Sequence, residues 1–115
     1  MLKINGARLW DGLMEMAKIG ATPEGGVSRV AVTEEDRLGR DLLRSWATPL
    51  VEDYHFDEVG NMFFVRYGQQ PESQVILTGS HLDTQIHGGR FDGAFGVMAG
   101  LEVLRTLAEG EIRLP

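Results

Sequence analysis

The sequence predicts an α/β layered domain with an incomplete sheet: two helices, two strands and a third helix. Three observations carry this. Apolar residues recur at helical spacing in three stretches, two short runs of strand pattern lie between the second and third of them, and glycine is abundant, 15 in 115 residues, against an ordinary share of about 7%. Hydrophobic residues at 43% and charged residues at 24% are ordinary globular values and exclude disorder of the low-hydrophobicity kind. The formal net charge of −6 opposes a phosphate backbone and excludes a general nucleic-acid binder. The chain has no cysteine, so disulfides, zinc fingers and thiol nucleophiles are excluded, and any metal site must use His, Asp and Glu.

Along the chain, residues 2 to 20 read as an amphipathic helix in which Trp10, Leu13, Met14 and Ala17 recur on one face, with the Met and Trp side chains expected in the core. Charges at Lys3, Arg8, Asp11, Glu15 and Lys18 break up this segment, and no apolar run approaches the about 20 residues that span a membrane. A cytoplasmic protein with no membrane partner is expected. Residues 21 to 32 form a loop around Pro23 and the Gly25-Gly26 pair. Thr33-Glu34-Glu35-Asp36 is a capping-box pattern: the Thr33 hydroxyl accepts from an orphan backbone N–H, and Asp36 reaches back to the cap. The helix it opens runs through Leu38, Leu42, Leu43 and Trp46 to about Pro49, with Arg37, Arg40 and Arg44 expected on a solvated face.

From Phe56 to Tyr67 the pattern turns to strand, with a bulge or turn at Gly60-Asn61. After a polar connection, Val75-Ile76-Leu77-Thr78-Gly79 is a short continuous apolar run, the pattern of a strand buried on both faces. Ser80 to Gly93 is a loop, and a helix from about Phe95 to Glu109 follows, with Val97, Leu101, Leu104 and Ala108 in one stripe. Two strands are too few for a closed core, and a parallel α/β domain would continue into another strand beyond Leu114-Pro115.

The chemistry concentrates in His81-x-Asp83 and, nine residues on, Asp92. His81 stands just past the C-terminal end of the apolar run, where open α/β sheets place their ligands. A neutral imidazole is a good zinc ligand when a carboxylate holds its other ring N–H, and Asp83 is placed for that. Asp92 opens the next helix, and the glycines before it allow the loop to fold back towards His81, where a carboxylate can bridge two metals. The alternatives are structural: Asp92 as a helix cap, Asp83 serving a turn, His81 as a hydrogen-bonded loop histidine. His87, in the same loop, is a spare ligand, a substrate contact or an exposed residue. His55, among Asp53, Asp57 and Glu58, reads as a surface residue. Ser80 lacks a nucleophile elbow, and Gly93-x-x-Gly96 lacks the G-K-[ST] of a phosphate loop.

A longer set of ordered motifs adds to this. Gly79-Ser80-His81-Leu82-Asp83-Thr84-Gln85, Gly88-Gly89-Arg90-Phe91-Asp92-Gly93, and Gly96-Val97 followed by Gly100-Leu101-Glu102-Val103-Leu104 closely resemble the metallopeptidase-like amidohydrolases, in the branch of N-carbamoyl-L-amino acid hydrolases, β-ureidopropionases and allantoate amidohydrolases. Ile4-Asn5-Gly6-x-Arg8-Leu9-Trp10, Ile19-Gly20-Ala21-Thr22, Gly25-Gly26-Val27-Ser28-Arg29, Thr33-x-Glu35-Asp36 and Asp57-x-x-Gly60-Asn61 extend the resemblance over nearly the whole chain.

The resemblance implies that residues 1 to 115 are the N-terminal part of a zinc-peptidase-like catalytic domain, without the second domain that caps the site and forms a homodimer. It implies two divalent metals, Zn²⁺ or Mn²⁺ with Co²⁺ and Ni²⁺ as further options. His81 would bind one metal, Asp92 would bridge both, and Asp83 would act in catalysis by orienting His81. The substrate implied is a small N-carbamoyl amino acid or ureide, cleaved to amino acid, carbon dioxide and ammonia. Allantoate hydrolysis, an aminoacylase-like peptidase activity or a non-catalytic fragment are the alternatives. Thr84-Gln85 looks more like the carbamoylases than the peptidases, and Gln85 and His87 are the candidate substrate contacts. The Glu-Glu pair that supplies base and ligand in the family has no counterpart here, since Glu109-Gly110-Glu111 does not match it, so the chain alone is expected to be inactive. Ala47 to Glu52 fits the family poorly and leaves that helix end open.

Overall fold

In the computed structural model, which describes residues 1–115, the first helix begins where a side chain can cap it. The Asn5 side chain accepts from the Arg8 N–H at 3.0 Å, and α1 runs Gly6–Ala17. Helix α1 is therefore shorter at both ends than the sequence predicts. Leu9, Leu13 and Met16, at i, i+4 and i+7, face inward. Trp10 was expected in the core but is 54% exposed, because it lies about 100° round the helix from Leu9. Its ring leans on Phe91, with centroids 5.8 Å apart.

Helix α2 spans Glu34–Ala47 and continues into a 3-10 turn, Thr48–Leu50. Its cap differs in one detail from the predicted capping box. The Thr33 hydroxyl accepts from the Asp36 N–H at 3.3 Å, but the Asp36 carboxylate reaches past the cap residue to the Val32 N–H at 2.9 Å. Arg37 and Arg44 are exposed as expected and Arg40 is half-buried; Arg37 pairs with Glu34 and Asp41 along the helix. Arg40 donates to the Gly60 carbonyl at 2.6 Å, and the Arg44 guanidinium stacks over Tyr54, 4.6 Å from the ring centre.

Those contacts dock α2 on a hairpin. Strands β1 (Asp53–Phe56) and β2 (Met62–Val65) pair antiparallel, with Tyr54 opposite Phe64 and His55 opposite Phe63. The turn between them is built by Asp57, whose carboxylate accepts from the Val59 and Asn61 N–H groups and from the Asn61 side chain. Of the strand expected over Phe56 to Tyr67 only Met62–Val65 forms as β2; β1 lies ahead of it and shares only Phe56, and the bulge or turn expected at Gly60-Asn61 is part of the connection between the two strands.

The apolar run Val75 to Leu77 forms no ladder, contrary to the buried strand expected there. Val75, Ile76 and Leu77 are 88, 78 and 77% exposed. A strand apolar on both faces needs neighbours on both edges, and the only sheet in the chain is the hairpin itself. Three helices and a two-stranded sheet are present as predicted, with β1 in place of the strand expected at 75–79.

Helix α3, Ala94–Glu109, closes the fold. The core gathers Leu13 and Met16 of α1, Leu43 and Ala47 of α2, and Ala94, Met98 and Leu101 of α3, plus one loop residue, Leu82. An ion pair between half-buried Arg8 and buried Glu102 ties α1 to α3. The Glu102 carboxylate receives two bonds from the Arg8 guanidinium, each at 2.8 Å, and the Asn5 N–H at 2.8 Å. No helix is long and apolar enough to cross a membrane.

Candidate metal site

Segment 78–81 lies along α3 on a track of glycines. A Cβ on Gly100 would touch the Thr78 side chain at 3.2 Å, one on Gly96 the Ser80 Cβ at 2.6 Å, and one on Gly93 the imidazole of His81. Each step forward in the segment is a step back towards the N-terminus of α3, so the chain delivers His81 to the start of that helix. Gly93 has φ +75°, and its missing side chain leaves room for the ring.

Beyond His81 the backbone alternates. Leu82 and Thr84 are buried, while His81 and Gln85 are exposed and Asp83 is half-buried. Leu82 plugs into the core, and Thr84 is held by the 27–29 segment. The Thr84 N–H donates to the Arg29 carbonyl at 2.7 Å, its hydroxyl accepts from the Arg29 N–H at 2.8 Å, and the same hydroxyl donates to the Val27 carbonyl at 2.9 Å. Val27 and Gly88 exchange both backbone hydrogen bonds, at 2.9 and 2.8 Å. The loop is therefore pinned at two points, leaving His81, Asp83 and Gln85 on its outer side.

The His81 Nδ1 lies 2.8 Å from the Asp83 carbonyl and 3.5 Å from the Asp83 carboxylate. Both are acceptors, so Nδ1 carries the proton and the neutral ring keeps its lone pair on Nε2. Nothing in the chain bonds to Nε2. The closer contact is thus the Asp83 carbonyl, with its carboxylate behind it. The Asp92 side chain makes no hydrogen bond, and α3 is capped by Gly93 with no side-chain cap, so the helix-cap alternative for Asp92 fails. The Asp92 carboxylate sits against Gly89, where a Cβ would collide with it, one residue before the glycine that receives His81.

These groups fit a metal by donor chemistry: an imidazole with its lone pair free and an unpaired carboxylate at the start of the same helix. No group of three or more His, Asp or Glu side chains able to hold a metal occurs in the chain. His87, at φ 53°, donates its backbone N–H to the Ser28 hydroxyl at 2.8 Å and leaves its ring exposed. His55 stands apart on the hairpin, stacked on Phe63 and 2.8 Å from the Asp53 carboxylate.

Beyond its place in a motif, Arg29 escaped sequence reasoning. It is 1% exposed and donates from Nε to the Leu82 carbonyl at 2.8 Å, and from Nη1 to the Met16 and Ile19 carbonyls at 2.9 and 2.8 Å. Burial lowers its pKa below the ordinary arginine value, and the Asp36 and Asp83 charges act in the other direction.

No protein-family profile matches the chain. Individual relatives do. The N-carbamoyl-L-amino-acid amidohydrolase of Rhizobium meliloti is 47% identical over 105 residues, 91% of this chain and 25% of the relative. The allantoate amidohydrolase of Bacillus subtilis is 39% identical over 82% of this chain and 23% of the relative. Among solved structures, a hydantoinase/carbamoylase family amidase from Burkholderia ambifaria superposes with TM-score 0.94 and 53% identity, over 98% of this chain and 28% of that one. The chain spans about a quarter of the length of the curated relatives it matches.

Proposed function

From a chain that is homologous to N-carbamoyl-L-amino-acid amidohydrolases and shares the fold of hydantoinase/carbamoylase family amidases over about a quarter of their length, we propose a role in a metal-dependent amidohydrolase that cleaves linear carbamoyl or ureido C–N bonds. The substrates are N-carbamoyl-L-amino acids, released as amino acid, carbon dioxide and ammonia. His81 and Asp92 would hold divalent metal, Asp92 as the carboxylate common to two ions of zinc or manganese type, or cobalt or nickel. Such a metal pair supplies polarisation of the scissile carbonyl and a water of lowered pKa. The chain's own part is to hold. The Asp83 carbonyl and carboxylate fix the tautomer and direction of His81, and the glycine track seats the ring against Gly93, the residue that follows Asp92. Gln85 and His87, on the exposed rim, are the candidate substrate contacts. A working site would need further ligands and a general base, and the reading includes a homodimer partner. The observation that supports this reading is a His81 ring seated against Gly93 with Nε2 unbonded, next in the chain to an Asp92 carboxylate that neither caps α3 nor bonds elsewhere.

The test is a chimera in which these 115 residues replace the matching quarter of the Rhizobium meliloti relative. Ammonia release from N-carbamoyl-L-amino acids is expected, and its loss in His81→Ala and Asp92→Ala. Faster release from allantoate would favour the second reading, to which the Bacillus subtilis relative points. A metal-loaded chimera inactive on both substrates would overturn the proposal.

A further inference from the structure

The structure assigns Arg29 as a positioning residue for His81, one that fixes both peptide groups flanking Asp83 and so aims the carbonyl that holds the imidazole. This inference rests on the reading of His81 as a metal ligand.

The argument is geometric. The peptide joining Leu82 to Asp83 is held through the Leu82 carbonyl, which accepts from Arg29 Nε at 2.8 Å. The peptide joining Asp83 to Thr84 is held through the Thr84 N–H, which donates to the Arg29 carbonyl at 2.7 Å. A trans peptide is planar, with its N–H and C=O pointing in opposite directions. Fixing the Thr84 N–H therefore fixes the Asp83 carbonyl, and that carbonyl accepts the Nδ1 proton of His81 at 2.8 Å. The Arg29 side chain thus holds the peptide before Asp83 and the Arg29 backbone carbonyl the peptide after it, and loss of the side chain frees the Leu82 carbonyl and with it the setting of Asp83 against His81.

The side chain is placed to do this rigidly. Its Nη1 is anchored on the Met16 and Ile19 carbonyls at the C-terminal end of α1, so the Leu82 carbonyl is tied to a helix and not to another loop. The stem is enclosed as well: a Cβ on Gly39 of α2 would lie 2.8 Å from Arg29 Cδ. A guanidinium fork can serve carbonyls of two segments at fixed angles, and an ammonium cannot. No carboxylate forms an ion pair with Arg29, so its hydrogen bonds are spent on backbone direction.

The experiment uses the 115-residue chain with ¹⁵N-labelled histidine. The unmodified chain is expected to show His81 as a fixed Nδ1–H tautomer. Arg29→Met is expected to convert that signal to a tautomer average and to weaken Zn²⁺ binding at His81 by about 10-fold or more, as loss of a ligand's supporting hydrogen bonds does. Arg29→Lys is expected to fall between. Glu102→Gln, which loosens the distant α1–α3 clamp, serves as the control for general destabilisation and is expected to leave the His81 signal unchanged. An unchanged signal in Arg29→Met, or an equal change in Glu102→Gln, would overturn the assignment. If both Arg29 variants unfold, exchange of the Arg29 Nε–H with solvent in the unmodified chain decides. Slow exchange relative to exposed Arg37 supports the assignment, and equal exchange overturns it. The tautomer signal needs no metal, so it can fail while the chimera hydrolyses substrate, or hold while the chimera does not.

Discussion

Arg29 and Glu102 are both 1% exposed, yet they are accommodated in opposite ways. Glu102 faces the positive end of α1, where it accepts the Asn5 N–H, and it has a full counter-charge in Arg8. Arg29 faces the negative end of the same helix, where it donates to the Met16 and Ile19 carbonyls, and it has no counter-charge in contact. The two buried ions bracket α1 with the signs its macrodipole favours. The difference teaches that a buried charge can be accommodated without an ion pair when enough backbone carbonyls converge on it, with the Asp36 and Asp83 charges acting from further off. It also separates their sensitivities: an ion pair that includes a carboxylate responds to acid, and an arginine held by carbonyls does not.

The largest effect expected is from Arg29→Met. It removes three hydrogen bonds, leaves the Leu82 and Ile19 carbonyls without their donor while Met16 keeps the Ile19 N–H, and should cost about 3 kcal/mol, read from the denaturant midpoint. A cost near zero would mean that the carbonyls find other donors and that dipole compensation counts for little. Glu102→Gln should cost less, about 2 kcal/mol, since the neutral amide still accepts from Asn5 while Arg8, 27% exposed, turns to solvent and Glu109. Equal costs for the two variants would remove the distinction.

Acid should sharpen it. Arg8 and the Asn5 N–H hold the Glu102 carboxyl below its ordinary pKa of 4.5. Its stabilisation is complete above that ordinary value and is lost as pH falls through the lower folded value, because the unfolded chain binds the proton first. Urea midpoints should therefore drop on acidification, less steeply in Glu102→Gln, and with the original steepness in Arg29→Met. Some slope should persist in Glu102→Gln, since Arg113 holds Glu52 low and Asn61 holds Asp57 low. The smallest effect belongs to Arg37→Ala. Its partners Glu34 and Asp41 are exposed with it, and no measurable shift of the midpoint is expected.

What was legible in the sequence follows the range of the interactions. The start of α2 was legible because Thr33 and Asp36 act on N–H groups within a few residues. The loop from Ser80 to Gly93 was legible because its glycine content marks it locally. The start of the hairpin was not, because Asp53 and His55 interrupt the apolar pattern of β1, and its pairing partners lie in Met62 to Val65. Val75 to Leu77 carries the pattern of an inner strand without the neighbours that would make it one. Trp10 was misread because apolar character alone does not tell the centre of a helical stripe from its edge. Arg29 was invisible as a buried group because its acceptors come from residues 16, 19 and 82, a convergence with no local signature.

The glycine track on α3 has a consequence for heredity. Every single-base change in a glycine codon that alters the residue either ends the chain or adds a Cβ. At Gly93 that atom would strike the His81 ring, and at Gly96 it would strike Ser80. The two codons have no neighbouring missense codon that spares the groove. The lineage that carries this chain can therefore explore new side chains at Gln85 and His87 one mutation at a time, while the seat of the imidazole admits no gradual path away from its present form.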